Sequence, residues 1–320
     1  MSFEFANASD LREANALYIE NARWFAGGTD LIPEIKLGLK MPARLVNLKH
    51  IADLRGIQHN ADGVRIGALT TLSEIAAHPL LREKYRALAQ ACDVSASPQI
   101  RNVGTLGGNL NQASRCAYYR NAFPCFLNGG AKCFARDGEN RESAVIGYGD
   151  CVHVHPSDPA NALVLFDAQI FVQSGAGERV IAAQDFFRAP DANDTRMNVL
   201  ARDEIITAIH LPNLKKSTRS VYVKAMDRAA WTFALASVAL CVEIQNDCIE
   251  NARVVFGGVA PIPRQEFHIA NTLSGKKADM DSVTQVLENV LHDAQPLTQN
   301  RYKVRLARGL LKRALKECLV

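Results

Sequence analysis

Two stretches decide how this chain is read: Phe25-Ala-Gly-Gly-Thr-Asp-Leu31 and, further along, Val103-Gly-Thr-Leu-Gly-Gly-Asn-Leu110. The first follows Arg23-Trp-Phe25, which predicts a short strand, and precedes residues 31–39, which predict a helix. Strand, glycine pair and helix in that order make an anion-binding geometry. The glycines let backbone N–H groups approach a phosphate, and the helix dipole favours negative charge. In the second stretch Gly104, Gly107 and Gly108 again allow backbone to lie against a ligand. Thr29, Asp30, Thr105 and Asn109 add short polar side chains able to hydrogen-bond phosphate or ribityl oxygens. Two such cradles suit a long ligand with a central pyrophosphate. Neither is the G-x-G-x-x-G fingerprint, and neither ends in the Lys-Ser/Thr of a P-loop.

Outward from these stretches the pattern is mixed α/β. Ser9-Asp10 predicts a cap for a helix over residues 11–19, and strands are expected at 44–47 and 64–67. Thr71 and Glu74 form a capping-box signature. Residues 114–157 then break the rhythm with four cysteines and turn signals such as Asn128-Gly129-Gly130, which predicts an inserted loop. Regular pattern resumes over 160–172, and a boundary is expected near 212–218. Beyond it strands come first (220–224, 233–244, 252–257) and helices follow (about 279–294 and 300–319), the order of a small α+β domain.

A chain of 320 residues exceeds one ordinary core, so at least two packed units are expected. Hydrophobic residues at 48% and charged residues at 22% are a globular balance. The net charge of +4 arises from 37 basic residues interleaved with 33 acidic ones, a distribution that invites no nucleic acid. The longest apolar run, 233–242, is about half of the ~20 residues a bilayer demands, so it reads as a buried strand. The opening Met1-Ser-Phe-Glu-Phe5 lacks a secretory signature. The expectation is a chain with no membrane insertion and no export address of its own. In the last helix Arg301, Lys303, Arg305, Arg308, Lys312, Arg313 and Lys316 alternate with an apolar stripe. They read as its solvated face, with an acidic partner subunit as the sharper alternative.

Eight cysteines without that signature point to thiolate chemistry rather than disulfides. Cys92, Cys241, Cys248 and Cys318 are scattered as small hydrophobes would be. Cys116, Cys125, Cys133 and Cys151 are grouped, with none of the short Cys pairs of a zinc ribbon. Wide spacing fits four thiolates brought by a loop around a [4Fe–4S] cluster. Zinc and unliganded thiols stay open on spacing alone. Arg115 and Lys132 beside them could offset thiolate charge or lie in solvent, and His153 and His155 read as one face of a strand beside Cys151. Asp158 could accept from ligand hydroxyls or cap the helix that begins near Ala160.

The two glycine stretches, together with Ser157-Asp-Pro-Ala-x-Ala-Leu163, 202–212 and 222–234, resemble the FAD-binding subunits of xanthine dehydrogenase-type molybdenum hydroxylases over essentially the whole chain. Members with cysteines in the inserted loop are the flavin subunits of periplasmic aldehyde oxidoreductase and of 4-hydroxybenzoyl-CoA reductase. Asn111-Gln-x-x-Arg-Cys116-x-Tyr-Tyr119 and Pro124-Cys125 look closer to the aldehyde oxidoreductase type. The resemblance implies an α+β chain: a two-part α/β FAD-binding domain over 1–213, with the iron–sulfur loop at about 114–157, then an α+β domain over 214–320. It implies that Phe25, Ala26, Gly27, Gly28, Thr29, Asp30 and Leu31, with Gly104, Thr105, Leu106, Gly107 and Gly108, wrap the FAD pyrophosphate. Asn109 and Asp158 hold neighbouring oxygens, and Ile206 and Lys224 approach the flavin ring. It implies four cluster ligands in Cys116, Cys125, Cys133 and Cys151.

The implied role is electron transfer within a heteromeric oxidoreductase. Electrons come from a large subunit with the molybdenum cofactor and a small [2Fe–2S] subunit, pass through FAD, and leave to an external acceptor. Aldehyde oxidation is the favoured chemistry and 4-hydroxybenzoyl-CoA reductase-like chemistry the alternative. A stand-alone flavin oxidase and a zinc-stabilised scaffold are the rivals. Localisation is expected to be cytoplasmic, or periplasmic by co-export with a signal-bearing partner.

Overall fold

The computed structural model describes residues 2–319. Its first sheet is parallel: β1 (Glu4–Asn7), β2 (Ala22–Phe25) and β3 (Arg44–Asn47), in the order β1-β3-β2. Asp10 caps the helix Leu11–Leu17 by accepting the Glu13 N–H at 2.7 Å, and that helix stops two residues before the expected end. The helix after the first glycine pair is likewise short, Leu31–Lys36.

The second sheet has five antiparallel strands: β4 (Ile57–Asn60), β5 (Gly63–Gly67), β6 (Gln169–Ser174), β7 (Gly177–Ala182) and β8 (Ile205–Pro212), in the order β4-β5-β8-β6-β7. The chain leaves after β5 and returns only at β6. Everything singled out in 98–158 is therefore carried on one excursion from this sheet. The predicted capping box is present, with Thr71 and Glu74 exchanging hydrogen bonds at the start of the helix Leu72–Ala77. Ile66, Ile170 and Ile209 pack with Leu88, Leu163 and Phe166 in a core closed to solvent. At roughly 25 cal/mol per Å² of apolar surface, such burial is what holds the excursion to the sheet.

The third sheet is antiparallel: β9 (Thr218–Ala225), β10 (Ala236–Gln245), β11 (Cys248–Gly257) and β12 (Arg264–Gln265), in the order β12-β11-β10-β9. Asn246 and Asp247 join β10 to β11 with φ of 50° and 59°, the two positive values a tight hairpin turn requires. Side chains alternate across a strand, so the two faces enter different cores. Val221, Val223, Val238, Leu240 and Val242 pack beneath the helix Tyr302–Leu319, whereas Tyr222, Ala239 and Cys241 face the core of the second sheet. Lys224, two residues beyond Tyr222, lies on that second face.

Two expectations fail here. The helix expected at 279–294 is a short turn, Met280–Val283, followed by a 3-10 segment, Thr284–Asn289, and a helix at Phe267–Leu273 precedes it. Val286, Leu287, Val290 and Leu291 are all buried, at a spacing that one helical face would also satisfy. Leu291, with φ 51°, leaves the helical region and ends the run. The second failure is Lys303, which is not on a solvated face. It is fully buried, and its ammonium donates to the carbonyls of Glu142 and Gly258 at 2.7 Å each. Burial pushes its pKa down to about 7.

The cysteine loop is strapped to the C-terminal unit at that point. Asn300 Nδ2 donates to the Ser143 and Ala144 carbonyls, Asn140 Oδ1 accepts the Gln299 N–H, and Gln295 N–H reaches the Val145 carbonyl. Among the described residues no helix is long and apolar enough to cross a membrane.

Candidate functional site

The two glycine stretches meet. A Cβ at Gly27 would stand 2.3 Å from the Val103 carbonyl oxygen, and Thr29 Oγ1 lies 3.7 Å from the Cβ position of Gly104. Gly28 has φ +70°, a conformation other residues adopt at a cost. Among the described residues the backbone N–H groups of Gly27, Gly28, Thr29 and Asp30 donate to no protein acceptor. A run of free N–H groups on a half-buried loop at a helix start is the donor set a pyrophosphate uses. Thr105 caps the second helix by accepting the Gly108 N–H, Leu106 and Gly107 are buried against the Thr70 and Ala68 carbonyls, and Asn109 Oδ1 accepts from Ser157 Oγ at 2.5 Å. The FAD-type cradle is consistent with these residues. Gly27→Ala should force the loops apart. Overpacking of this kind costs roughly 1–3 kcal/mol. The flavin-to-protein ratio after gel filtration should drop well below that of Gly175→Ala, whose Cβ meets open space.

Asp30 is engaged with protein. Its carboxylate accepts the Ala113 N–H at 2.7 Å and pairs with Arg120 at 2.8 Å and Arg115 at 3.0 Å. One residue turn further, buried Glu34 accepts from the hydroxyl of buried Tyr119. The helix Ala117–Arg120, which starts at Cys116, is thus fastened to the helix of the first cradle. Arg115 answers its open alternatives: it belongs to this ion pair, with its guanidinium over the Phe233 ring.

Asp158 and Lys224 form a buried pair at 2.7 Å, with side chains 6% and 1% exposed. Tyr222 donates to Asp158 at 2.6 Å and Ser95 at 3.2 Å, while the Lys224 ammonium also donates to the Val94 and Thr232 carbonyls. Burial and the neighbouring carboxylate push the Tyr222 hydroxyl well above its usual range, so it stays a donor. The cap of the helix Asp158–Leu165 is Ser157, which accepts the Ala160 N–H. Asp158 is therefore a charge partner, not a cap. Ile206 is buried in β8 opposite Val172. Tyr222 and Ser95 escaped the sequence reading because their partner lies far off in the chain.

Cys116, Cys125, Cys133 and Cys151 line one pocket, walled by Phe126, Leu127 and Phe134, and His153 lines it too. The neighbouring Cys151 thiol holds Cys133 below its usual range, while Cys133 and burial push Cys151 up. Burial raises Cys116. Among the described residues no three His, Cys, Asp or Glu side chains stand close enough to hold a single metal ion.

Residues 151–157 form no strand, contrary to expectation, and both histidines are buried in the loop. Burial lowers His155 to about 3 and His153 to about 4. A histidine held neutral in the fold binds more protons when unfolded, so its stabilising share is present above pH 6.5 and is lost as pH falls towards those values. The slope is at most ~1.4 kcal/mol per pH unit for each ring. Urea midpoints taken from pH 7.5 down to 5 should fall, and His155→Asn should flatten the dependence.

Residues 1–214 match the family described as the FAD binding domain in molybdopterin dehydrogenase, and residues 221–318 match the CO dehydrogenase flavoprotein C-terminal domain. The chain is 33% identical to the aldehyde oxidoreductase FAD-binding subunit PaoB of Escherichia coli K12, over 99% of this chain and 97% of that one. It is 28% identical to the glyceraldehyde dehydrogenase medium chain of Sulfolobus acidocaldarius, over 98% of each. Its fold matches carbon monoxide dehydrogenase from Hydrogenophaga pseudoflava with a TM-score of 0.78 at 23% identity, covering 99% of this chain and 96% of that one. With a glycine cradle that retains free N–H donors and family matches along nearly its full length, the chain belongs to the FAD-binding subunits of the xanthine dehydrogenase-type molybdenum hydroxylases, an oxidoreductase family.

Proposed function

We propose that this chain is an electron-transfer subunit carrying both FAD and a [4Fe–4S] cluster, in a heteromeric molybdenum hydroxylase that oxidises an aldehyde. Its partners are a molybdenum-cofactor large subunit and a small [2Fe–2S] subunit, and electrons leave to an external acceptor. Bound FAD supplies the switch between two-electron and one-electron chemistry. The chain divides into a flavin unit over 1–213 and a C-terminal unit over 214–320.

The observation that carries this reading is the convergence of four thiols on one apolar-walled pocket whose first ligand, Cys116, is bolted to the flavin cradle through Arg115, Arg120 and Asp30. The residues have distinct tasks. The free N–H groups of 27–30 and the Gly104–Gly108 backbone would hold the pyrophosphate. Asn109, fixed by Ser157, and the Asp158–Lys224 pair would order the ring end. Phe126, Leu127 and Phe134 keep water from the thiolates. The 33% identity to an aldehyde oxidoreductase subunit favours aldehyde chemistry.

Anaerobic co-purification with the partner subunits tests the reading. Iron, acid-labile sulfide, molybdenum and flavin should be present together, and an aldehyde should reduce the flavin in the complex but not in the isolated chain. A complex with zinc in the cysteine loop, or turnover by the chain alone, would overturn it. Reduction by 4-hydroxybenzoyl-CoA chemistry instead would change the substrate and leave the subunit role. Fractionation decides between the cytoplasm and a periplasm reached by co-export.

A further inference from the structure

The pocket offers more than four donors. The His153 ring is 3% exposed, lines the pocket with the cysteines, and its Nδ1 lies 3.0 Å from the Val154 carbonyl oxygen. A carbonyl only accepts, so Nδ1 carries the proton and Nε2 holds a lone pair. Nε2 is buried and finds no hydrogen-bond partner among the described residues. A lone pair buried in the lining of a pocket shared with four cysteines is free to bind a metal. A ring whose other nitrogen is steered by a backbone carbonyl is also the usual arrangement of a metal-binding histidine.

Cys133 and Cys151 supply the second observation. Both line the same pocket as His153, and Cys151 stands two residues before that histidine on the same loop segment. Resting on the cluster reading above, we propose that His153 is a fifth iron-binding group of this pocket, able to occupy the iron corner served by Cys151.

The test uses the full complex, purified anaerobically, with Cys151→Ala, Cys151→Ser, and each combined with His153→Ala. Flavin content reports whether each variant has folded. The single variants should retain iron and sulfide, because imidazole takes the vacated corner. Pulsed EPR of the reduced cluster, with ¹⁵N-histidine incorporated, should then show the coupling of a directly bound nitrogen. Their midpoint potential should rise, since a neutral imidazole in place of a thiolate raises cluster potentials. The double variants should lose iron. Flavin-containing Cys151 variants that lack iron, or that hold iron without nitrogen coupling, overturn the proposal while leaving the four-thiolate cluster standing. Absence of iron from the unaltered complex would overturn the cluster reading itself.

Discussion

Asp158→Ala is expected to destabilise the chain by about 3–5 kcal/mol, because it leaves the Lys224 ammonium buried without a counter-charge. The Val94 and Thr232 carbonyls accept from that ammonium but do not neutralise it. Tyr222 and Ser95 lose their acceptor at the same time. Denaturant unfolding measures the loss. The double variant Asp158→Ala/Lys224→Met should recover a good part of it by removing the stranded charge, which identifies the pair rather than simple cavity formation as the cause. Additive losses in the double variant would sink this account. Flavin content should fall in both variants if the pair also orders the ring end of the cofactor.

Cys125→Ala should remove most of the iron and acid-labile sulfide while flavin stays. Cys125 is buried in the turn before the 3-10 segment Phe126–Asn128, and its carbonyl accepts the N–H groups of Asn128 and Gly130. Unlike Cys151, it has no neighbouring histidine in the loop to replace it. Structural metal sites are coupled to local folding, so protease sensitivity between 121 and 150 should rise in step with iron loss. Full iron content in this variant would remove Cys125 from the ligand set. The flavin readout separates loss of a ligand from collapse of the chain, since the glycine loops of the cradle lie before residue 110 and Cys125 is not among their contacts.

What was legible in the sequence was local. The glycine pairs, the Thr71–Glu74 capping box and the strands at 44–47 and 64–67 depend on neighbours within a few positions, and all stand where their patterns place them. The resemblance also carried the family over the whole chain. Partnerships across long separations were not legible. Asp30 offers a short carboxylate beside a glycine pair, and nothing local shows that Arg115 and Arg120 will consume it. Asp158 and Lys224 lie on different sheets' territory, and only the alternation along β9 brings them together. Lys303 sits in an amphipathic stripe where a lysine reads as solvated. The carbonyls of Glu142 and Gly258 that receive it come from a loop and a strand end, neither of which carries a sequence signal for that role. The helix expected over 279–294 is broken into short segments although its apolar spacing suits one helical face, so the pattern gave no sign of the break.

The strap formed by residues 295–303 has a consequence for biosynthesis. The four cysteines leave the ribosome long before Asn300 and Lys303 do, yet among the described residues the carbonyls of residues 142–145 are secured by those last segments. During translation the start of the loop can already dock on the flavin cradle through Arg115, Tyr119 and Arg120, but the carbonyls of its 142–145 end have no such partner until those segments emerge. Under the proposed cluster reading, delivery of iron and sulfide would have a window that stays open until the final helix emerges and shuts when it packs. A chain truncated before residue 295 should fold its cradle and never close that window.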